Sequence, residues 1–342
     1  MVSTISAKTE HTIHTYAQIA DIIRQPFQAV DNRIHSQLAS DVELINIISH
    51  HIIDSGGKRL RPMIALLAGF AGMASTSHPN DAPQALLDVA AVVELLHTAT
   101  LLHDDVVDES SLRRGKKTAH TLWGNAQSVL VGDYLISKAF SMIVAIKNQR
   151  VLEIMAQATS DIAEGEVLQL CNLGDPTTTE ARYRKVIHFK TARMFEAAAE
   201  GAAAVVDPSL ALCQPMQRYA HHLGIAFQLM DDLLDYQGDA SATGKNVGDD
   251  LAEGKPTLPL IYTLEHGAEA DRTVIHNAIA DGRAAELDEV ITAIQRSGGL
   301  DYTMKAAQKE AQLARSALQV LSDSVYKDAL IALTELAITR SH

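Results

Sequence analysis

The chain has 342 residues, 47% of them apolar, and a formal net charge of -13. That length and apolar share supply a sizeable buried core, while the acidic balance excludes bulk nucleic-acid affinity, which needs a broad basic surface. Cys171 and Cys213 are the only cysteines, which excludes a disulfide framework and a thiolate metal site and favours a reducing cytoplasm.

Apolar residues recur three and four apart through most of the chain, and alternating strand patterns are nearly absent. The pattern predicts helices near 12–24, 27–54, 62–74, 83–108, 124–147, 150–171, 178–201, 209–237, 256–266, 284–297, 301–321 and 325–340. Turn chemistry separates them at Ser75–Pro83, Gly174-Asp175-Pro176, Asp207-Pro208 and Gly238–Lys255. No composition shift divides the chain, so the expectation is one all-α domain over 1–342, a large helical bundle, with about the first 20 residues as a flexible segment. The first residues lack an apolar signal core. The longest uncharged apolar run, Met63 to Ala74, falls short of the roughly 20 residues that cross a bilayer, so no stable membrane insertion is expected.

The first chemically distinctive segment is Gly56-Gly57-Lys58-Arg59-Leu60-Arg61-Pro62. It concentrates cations ahead of a helix whose first turn suits Pro62 and whose N-terminus favours an anion. A basic turn on a solvated surface is the competing reading. The next predicted helix carries the stripe Leu86, Val89, Val93, Leu96, Thr100, Leu101 and runs into His103-Asp104-Asp105-Val106-Val107-Asp108-Glu109. Asp104 and Asp108 share one face there. Like charges four residues apart, at the end where the helix dipole disfavours anions, destabilise a bare helix by a few tenths of a kcal/mol. A bound cation reverses that effect. Five residues on come Arg113 and Arg114, whose guanidinium forks match phosphate oxygens. His103 beside Asp104 also suits a metal-dependent phosphohydrolase. His50-His51 and His221-His222 read as ordinary surface or core histidines, and Trp123 as packing beside a helix start.

The helix predicted over 209–237 ends in Phe227-Gln228-Leu229-Met230-Asp231-Asp232-Leu233-Leu234-Asp235, which repeats the DDxxD spacing. Either cluster alone reads as a solvated helix end. Two with identical spacing on apolar helices point to a shared function. Magnesium is the natural ion, since it takes a few carboxylate oxygens and fills its shell with water and substrate phosphates. Lys245 and Lys255 sit in the polar stretch 238–255, which reads as a lid over bound phosphate or as a plain surface loop.

Together the motifs GGKRLRP at 56–62, LLHDDVVDESSLRRG at 101–115, GDYL at 132–135, KTA at 190–192, FQLMDDLLDY at 227–236 and GKNVGDDLAEGKPTLPL at 244–260 resemble the trans-isoprenyl diphosphate synthase family over nearly the whole chain. The resemblance is to its bacterial long-chain, octaprenyl-diphosphate-synthase-like branch. It implies the isoprenoid synthase type of helical bundle around a central cavity. It implies that more than one Mg2+ is held by Asp104, Asp108, Asp231 and Asp235, with Asp105 and Asp232 orienting bound water or neighbouring ligands. Arg113 and Lys190 would hold an allylic diphosphate such as farnesyl diphosphate, with Lys245 and Lys255 closing over it. Lys58, Arg61, His97 and Arg114 would bind isopentenyl diphosphate, and Thr191 and Gln228 would flank the reacting carbons. Ala99, five positions before Asp104 and about 7.5 Å along the helix, replaces the bulky aromatic that floors the pocket in short-chain members, so with Thr100 and Leu96 it implies a product of roughly C35 to C45.

The implied partner is a second copy in a homodimer, and the implied use of the product is a quinone side chain such as that of ubiquinone. A shorter-chain, geranylgeranyl-type synthase is an alternative. A terpene cyclase would share the fold but has no need of an isopentenyl site, and a non-catalytic synthase subunit has no need of intact aspartates in both clusters.

Overall fold

The computed structural model describes residues 13–74, 83–237, 248–281 and 287–339. Within them the fold is helical throughout, apart from a two-residue antiparallel ladder pairing β1 (Leu112–Arg113) with β2 (Lys116–Lys117). α1 (Tyr16–Ile22) opens on a capping box: the Thr15 hydroxyl accepts from the Gln18 N–H, and the Gln18 side chain accepts from the Thr15 N–H. The end of the stretch expected to be flexible is therefore ordered as helix, while residues 1–12 lie outside the described residues.

The helix expected over 27–54 is two, α2 (Arg24–Leu38) and α3 (Glu43–Ile53). Asn46 explains the break, because its side chain bonds both the N–H and the C=O of Ser40 and offers that backbone an alternative to the helix. α4 (Leu60–Met73) follows, then α5 (Gln84–Val107), α6 (Ala119–Trp123), α7 (Asn125–Ile146) and α8 (Gln149–Asn172). The helix expected over 178–201 is also interrupted. α9 (Glu180–Ile187) passes through a π turn (His188–Ala192) into α10 (Arg193–Val206). A π turn inserts one residue, which re-aims side chains and is frequent at functional sites. Here it carries Lys190 and Thr191. Gly165 and Gly224 let flanking helices close on it: a Cβ on Gly224 would stand 2.5 Å from the Ala192 Cα, and one on Gly165 would stand 3.0 Å from the Lys190 nitrogen.

α10 is the hub. Its run Met194–Ala204 is buried throughout, and its alanines and Gly201 let α4, α5, α8 and α11 (Cys213–Gln237) pack closely around it. The remaining elements are α12 (Asp249–Ala252), α13 (Leu258–His266), α14 (Glu269–Asp281), α15 (Leu287–Ser297), α16 (Gly299–Ala317) and α17 (Val325–Ile338). α16 lies along α11, while α13, α14 and α15 form a smaller apolar cluster around Ile275, Ile279, Val290 and Ile294. α14 was not expected. Its Thr, Val, Ile and Asn residues are weak helix formers, and burial of Ile275, Ala278 and Ile279 overrides that preference.

Among the described residues, two helices are long and apolar enough to cross a membrane, α5 and α7. Uncharged runs do not reveal them, because each carries an occasional charge. α5 is largely buried and carries the cavity described below, whereas only about a third of the most apolar stretch of α7 is covered.

Candidate active site

Helical periodicity decides which α5 residues meet. His97, Thr100, Leu101, Asp104 and Asp108 follow one another at spacings of three, one, three and four, which keeps them on one face. All five line a cavity of about 830 Å³. α11 closes the opposite wall with Phe227, Gln228, Asp231, Asp232 and Asp235. The 57–61 loop supplies Lys58 and Arg61, the β1–β2 hairpin Arg113 and Arg114, and the π turn Lys190 and Thr191, while Lys255 approaches from beyond α12. The structure thus brings most of the expected site residues to one space. Lys245 lies outside the described residues.

Three residues stand apart from the lining. Ala99 and Leu96 are buried at 0% and 2% exposure but lie off the Asp104 face, about 140° and about 80° around the helix from it. Of the expected chain-length residues, Thr100 is the one on the cavity. Asp105 is the third. It is fully buried, and its Oδ1 accepts from Arg113 Nε at 2.8 Å and from Arg113 Nη2 at 2.7 Å. Instead of orienting water in the cavity, Asp105 aims Arg113 into it. His103 also turns away, its Nε2 lying 3.1 Å from the Val129 carbonyl and 3.4 Å from Asp133 on α7. That leaves the phosphohydrolase reading without its histidine.

The acidic half of the cavity crowds carboxylates into a buried space. Burial holds the Asp104 carboxyl above the usual range, an effect opposed by Lys190 and reinforced by Asp108. Lys190 Nζ stands 3.8 Å from Asp104 and 2.7 Å from Glu166, and Lys255 Nζ stands 3.6 Å from Asp108 while also pairing with Glu253. Asp232 is buried and accepts from the Tyr183 hydroxyl at 2.5 Å and from Gln228 Nε2 at 2.7 Å. Burial first, and Asp250 second, push its pKa up to about 8. Hard carboxylate oxygens from two facing helices, in a space where their charge is poorly solvated, fit a divalent ion of the magnesium type.

The basic half is equally crowded. Arg61 opens to the cavity, its guanidinium 5.0 Å from the Phe195 ring centre, yet its Nε is sealed off with no hydrogen-bond partner among the described residues. Burial lowers its pKa to about 10 in spite of Glu94. Burial and then Arg61, Arg113, Arg114 and Arg59 push the His97 imidazole well below the usual histidine range. Arg114 and Lys58 stand at the exposed mouth. Gly57 is required there: its φ is +123°, and a Cβ would lie 2.5 Å from Arg114 Nη1. Arg59, Glu109 and Arg114 hold left-handed backbone around the same mouth. Arg59 is fixed by hydrogen bonds to Glu94 at 3.2 Å and to the Ile53 carbonyl at 3.0 Å. Such strain gathers at binding sites, where surrounding contacts over-determine it.

His97 makes stability pH-dependent. An imidazole that stays neutral when folded protonates in the unfolded chain near 6.5, so the unfolded state binds more protons below that pH. Stability from this group is complete above roughly pH 6.5 and is lost as pH falls toward the depressed folded value. Melting temperatures are expected to drop on acidification through that window, and to drop less in His97→Gln.

At the centre of the cavity, the Thr191 hydroxyl donates to the Gln228 carbonyl oxygen at 2.9 Å, and Gln228 donates onward to Asp232. Sequence reasoning missed Tyr183, Glu94 and Glu166. Tyr183 lies two turns before Lys190, and Glu94 three residues before His97, so helical spacing could have flagged both. Glu166 is one of several carboxylates on α8, and nothing local distinguishes it.

Residues 42–296 match the family model described as Polyprenyl synthetase. The chain is 48% identical over 330 residues to octaprenyl diphosphate synthase of Escherichia coli (strain K12), which covers 94% of this chain and 98% of that protein. It is 46% identical over 319 residues to an all-trans-nonaprenyl-diphosphate synthase (geranyl-diphosphate specific) of Rhodobacter capsulatus, covering 93% and 96%. The solved structure of a polyprenyl synthase from Caulobacter crescentus CB15, complexed with calcium and isoprenyl diphosphate, superposes with a TM-score of 0.89 at 38% identity, covering 96% of this chain and 99% of that one.

Proposed function

The chain belongs to the polyprenyl synthetase family, and from that membership we propose that it is a long-chain trans-polyprenyl diphosphate synthase. It adds isopentenyl units to an allylic diphosphate, and octaprenyl diphosphate is the product best supported by its relatives. The observation that carries the reading is the pairing, in one cavity, of two facing aspartate clusters with a basic pocket whose Arg61 has an unpartnered buried donor. An elongase must hold two diphosphates side by side. A cyclase holds one.

Asp104, Asp108, Asp231 and Asp235 are the residues that would hold magnesium, as befits a family whose Caulobacter member was solved with calcium and isoprenyl diphosphate. When bound, magnesium neutralises charge developing on the departing diphosphate. Arg113, aimed by Asp105, together with Lys190 and Lys255, grips the allylic diphosphate and stabilises the charge that grows as its carbon–oxygen bond breaks. Lys58, Arg61 and Arg114 hold the isopentenyl diphosphate, with His97 as a neutral hydrogen-bond donor. The isopentenyl double bond then supplies the electron pair for the new carbon–carbon bond. The proton that must leave passes to an oxygen of the departing diphosphate, regenerating an allylic diphosphate one unit longer. The Thr191 and Gln228 oxygens face the positive charge in between, and the apolar walls keep water from it.

The growing tail runs past Thr100 and Leu101 toward Val186, Ile187 and Phe227, which line the same cavity. Thr100→Phe is expected to shorten the product by several units while initial condensation persists, as read by chromatography of the dephosphorylated chains. The reading also includes a homodimer. α7 exposes Leu130 and Val144, and the adjoining α8 exposes Val167 and Leu170, an apolar face that a second copy would cover. Sedimentation is expected at twice the monomer mass, and at the monomer mass for Leu130→Arg. The reading assigns synthesis to the cytoplasm.

Label from isopentenyl diphosphate tests the reaction class. It is expected to enter acid-labile allylic product only when farnesyl diphosphate and magnesium are both present. Consumption of farnesyl diphosphate alone, with no label incorporated, would instead identify a cyclase.

A further inference from the structure

Outside the cavity, α2 and α3 bring His35, His50 and Asp54 together. His35 Nε2 lies 3.1 Å from Asp54 Oδ1, and His50 Nδ1 lies 3.5 Å from Asp54 Oδ2. One ligand atom from each residue can be chosen so that all three lie within 4.8 Å of one another. The side chains are about half exposed, so the cluster is open to ions from solution.

Two features mark this as more than a chance meeting of polar groups. The first is the tautomer. His35 Nδ1 sits 2.8 Å from the Asp31 carbonyl oxygen, which can only accept, so Nδ1 carries a proton, and Nε2, hydrogen-bonded to Asp54 Oδ1 at 3.1 Å, is the nitrogen that would give up its proton to a metal ion. Metal-ligating histidines are characteristically oriented by such a bond from the other ring nitrogen. The second is spacing. Four ligands held about 2.0–2.1 Å from a tetrahedral ion stand about 3.3 Å from one another, and the two carboxylate–imidazole distances bracket that value. His50 and Asp54 are also four residues apart on adjoining turns, which lets both reach one point.

The other three-residue histidine–carboxylate group among the described residues lacks this freedom. Glu196 Oε1 accepts from both His188 and His221, and Glu196 Oε2 accepts from Arg193 at 2.6 Å. An ion there would stand beside a guanidinium. At Asp54 the neighbouring cation, Lys116, bonds the main-chain oxygen and not the carboxylate.

We propose that His35 Nε2, His50 Nδ1 and the Asp54 carboxylate form a site for a divalent transition metal of the zinc class, with a fourth position open to water. Two imidazoles and one carboxylate suit zinc, cobalt or nickel and not magnesium, so the site differs in chemistry from the aspartate clusters. It lies four residues before Lys58. An ion there would tie α2 to α3 at the root of the basic loop.

The test is competition between the full-length protein, free of any histidine tag, and a chromophoric chelator for Zn2+, in excess Mg2+. The expected result is one equivalent of zinc bound with micromolar or tighter affinity, weakened at least ten-fold in both His35→Gln and His50→Gln and unchanged in Asp104→Asn. Co2+ is expected to give the visible absorption of a four-coordinate nitrogen–oxygen site in the wild type, lost in His35→Gln. The proposal is overturned by failure to take zinc from the chelator, by binding that survives both histidine substitutions, or by binding that disappears in Asp104→Asn.

Discussion

Asp104→Asn is expected to lower elongation turnover by about 10³-fold while leaving the melting temperature unchanged or slightly higher. Asparagine keeps the shape and removes a half-buried negative charge that already sits against Asp108, so the folded state loses a repulsion. Lys190 keeps its ion pair with Glu166. Activity and stability should therefore separate, which no account of Asp104 as a structural helix end would produce. The same substitution at Asp231 should fall to a similar level, and the double variant only a little further, because two carboxylate clusters serving one diphosphate act as a unit. Steady-state kcat and a thermal melt on the same preparations check both statements.

Arg61→Leu is expected to act in opposite directions on the two properties. The guanidinium is buried with its Nε unpartnered, and burial, aided by Arg114 and opposed by Glu94 and Asp231, lowers its pKa to about 10. Replacing a desolvated group that leaves a buried donor unpartnered by an apolar one removes that burial penalty, and Glu94 keeps Arg59 as its partner, so the melting temperature should rise. Binding of isopentenyl diphosphate loses a charge-assisted contact of about 1.5–3 kcal/mol, so KM for that substrate should increase by about 10- to 150-fold, and KM for the allylic diphosphate much less. Substrate-specific kinetics separate this outcome from a general disturbance of the cavity. An equal rise in both constants would mean that Arg61 does not belong to the isopentenyl half.

How much of this was legible in the sequence depends on the range of the interaction. The repeated DDxxD spacing announced a shared site because Asp104 with Asp108, and Asp231 with Asp235, are set by one turn of one helix. Helix identity was likewise local, and α5 and α11 lie close to where periodicity placed them. The π turn was not legible, since it packs against Gly165 and Gly224, which are far away in sequence. Asp105 was expected to orient bound water by its place in the motif, but a rotation of one residue turns it from the cavity to Arg113. Ala99 was placed by distance along the helix without the angle around it, and it lies off the cavity lining. Glu94, which fixes Arg59 and faces Arg61, became visible only when the 57–61 loop folded back on α5. α14 went unseen because packing, and not propensity, makes it a helix.

The most direct measurement is the length distribution formed by the purified protein from farnesyl diphosphate, labelled isopentenyl diphosphate and magnesium, sized after dephosphorylation. The account predicts a ladder that ends at a long polyprenol, with octaprenol as the main band, and no ladder for Asp104→Asn. A product that stops after one condensation would contradict the long-chain assignment, and a ladder that persists in Asp104→Asn would contradict the site itself.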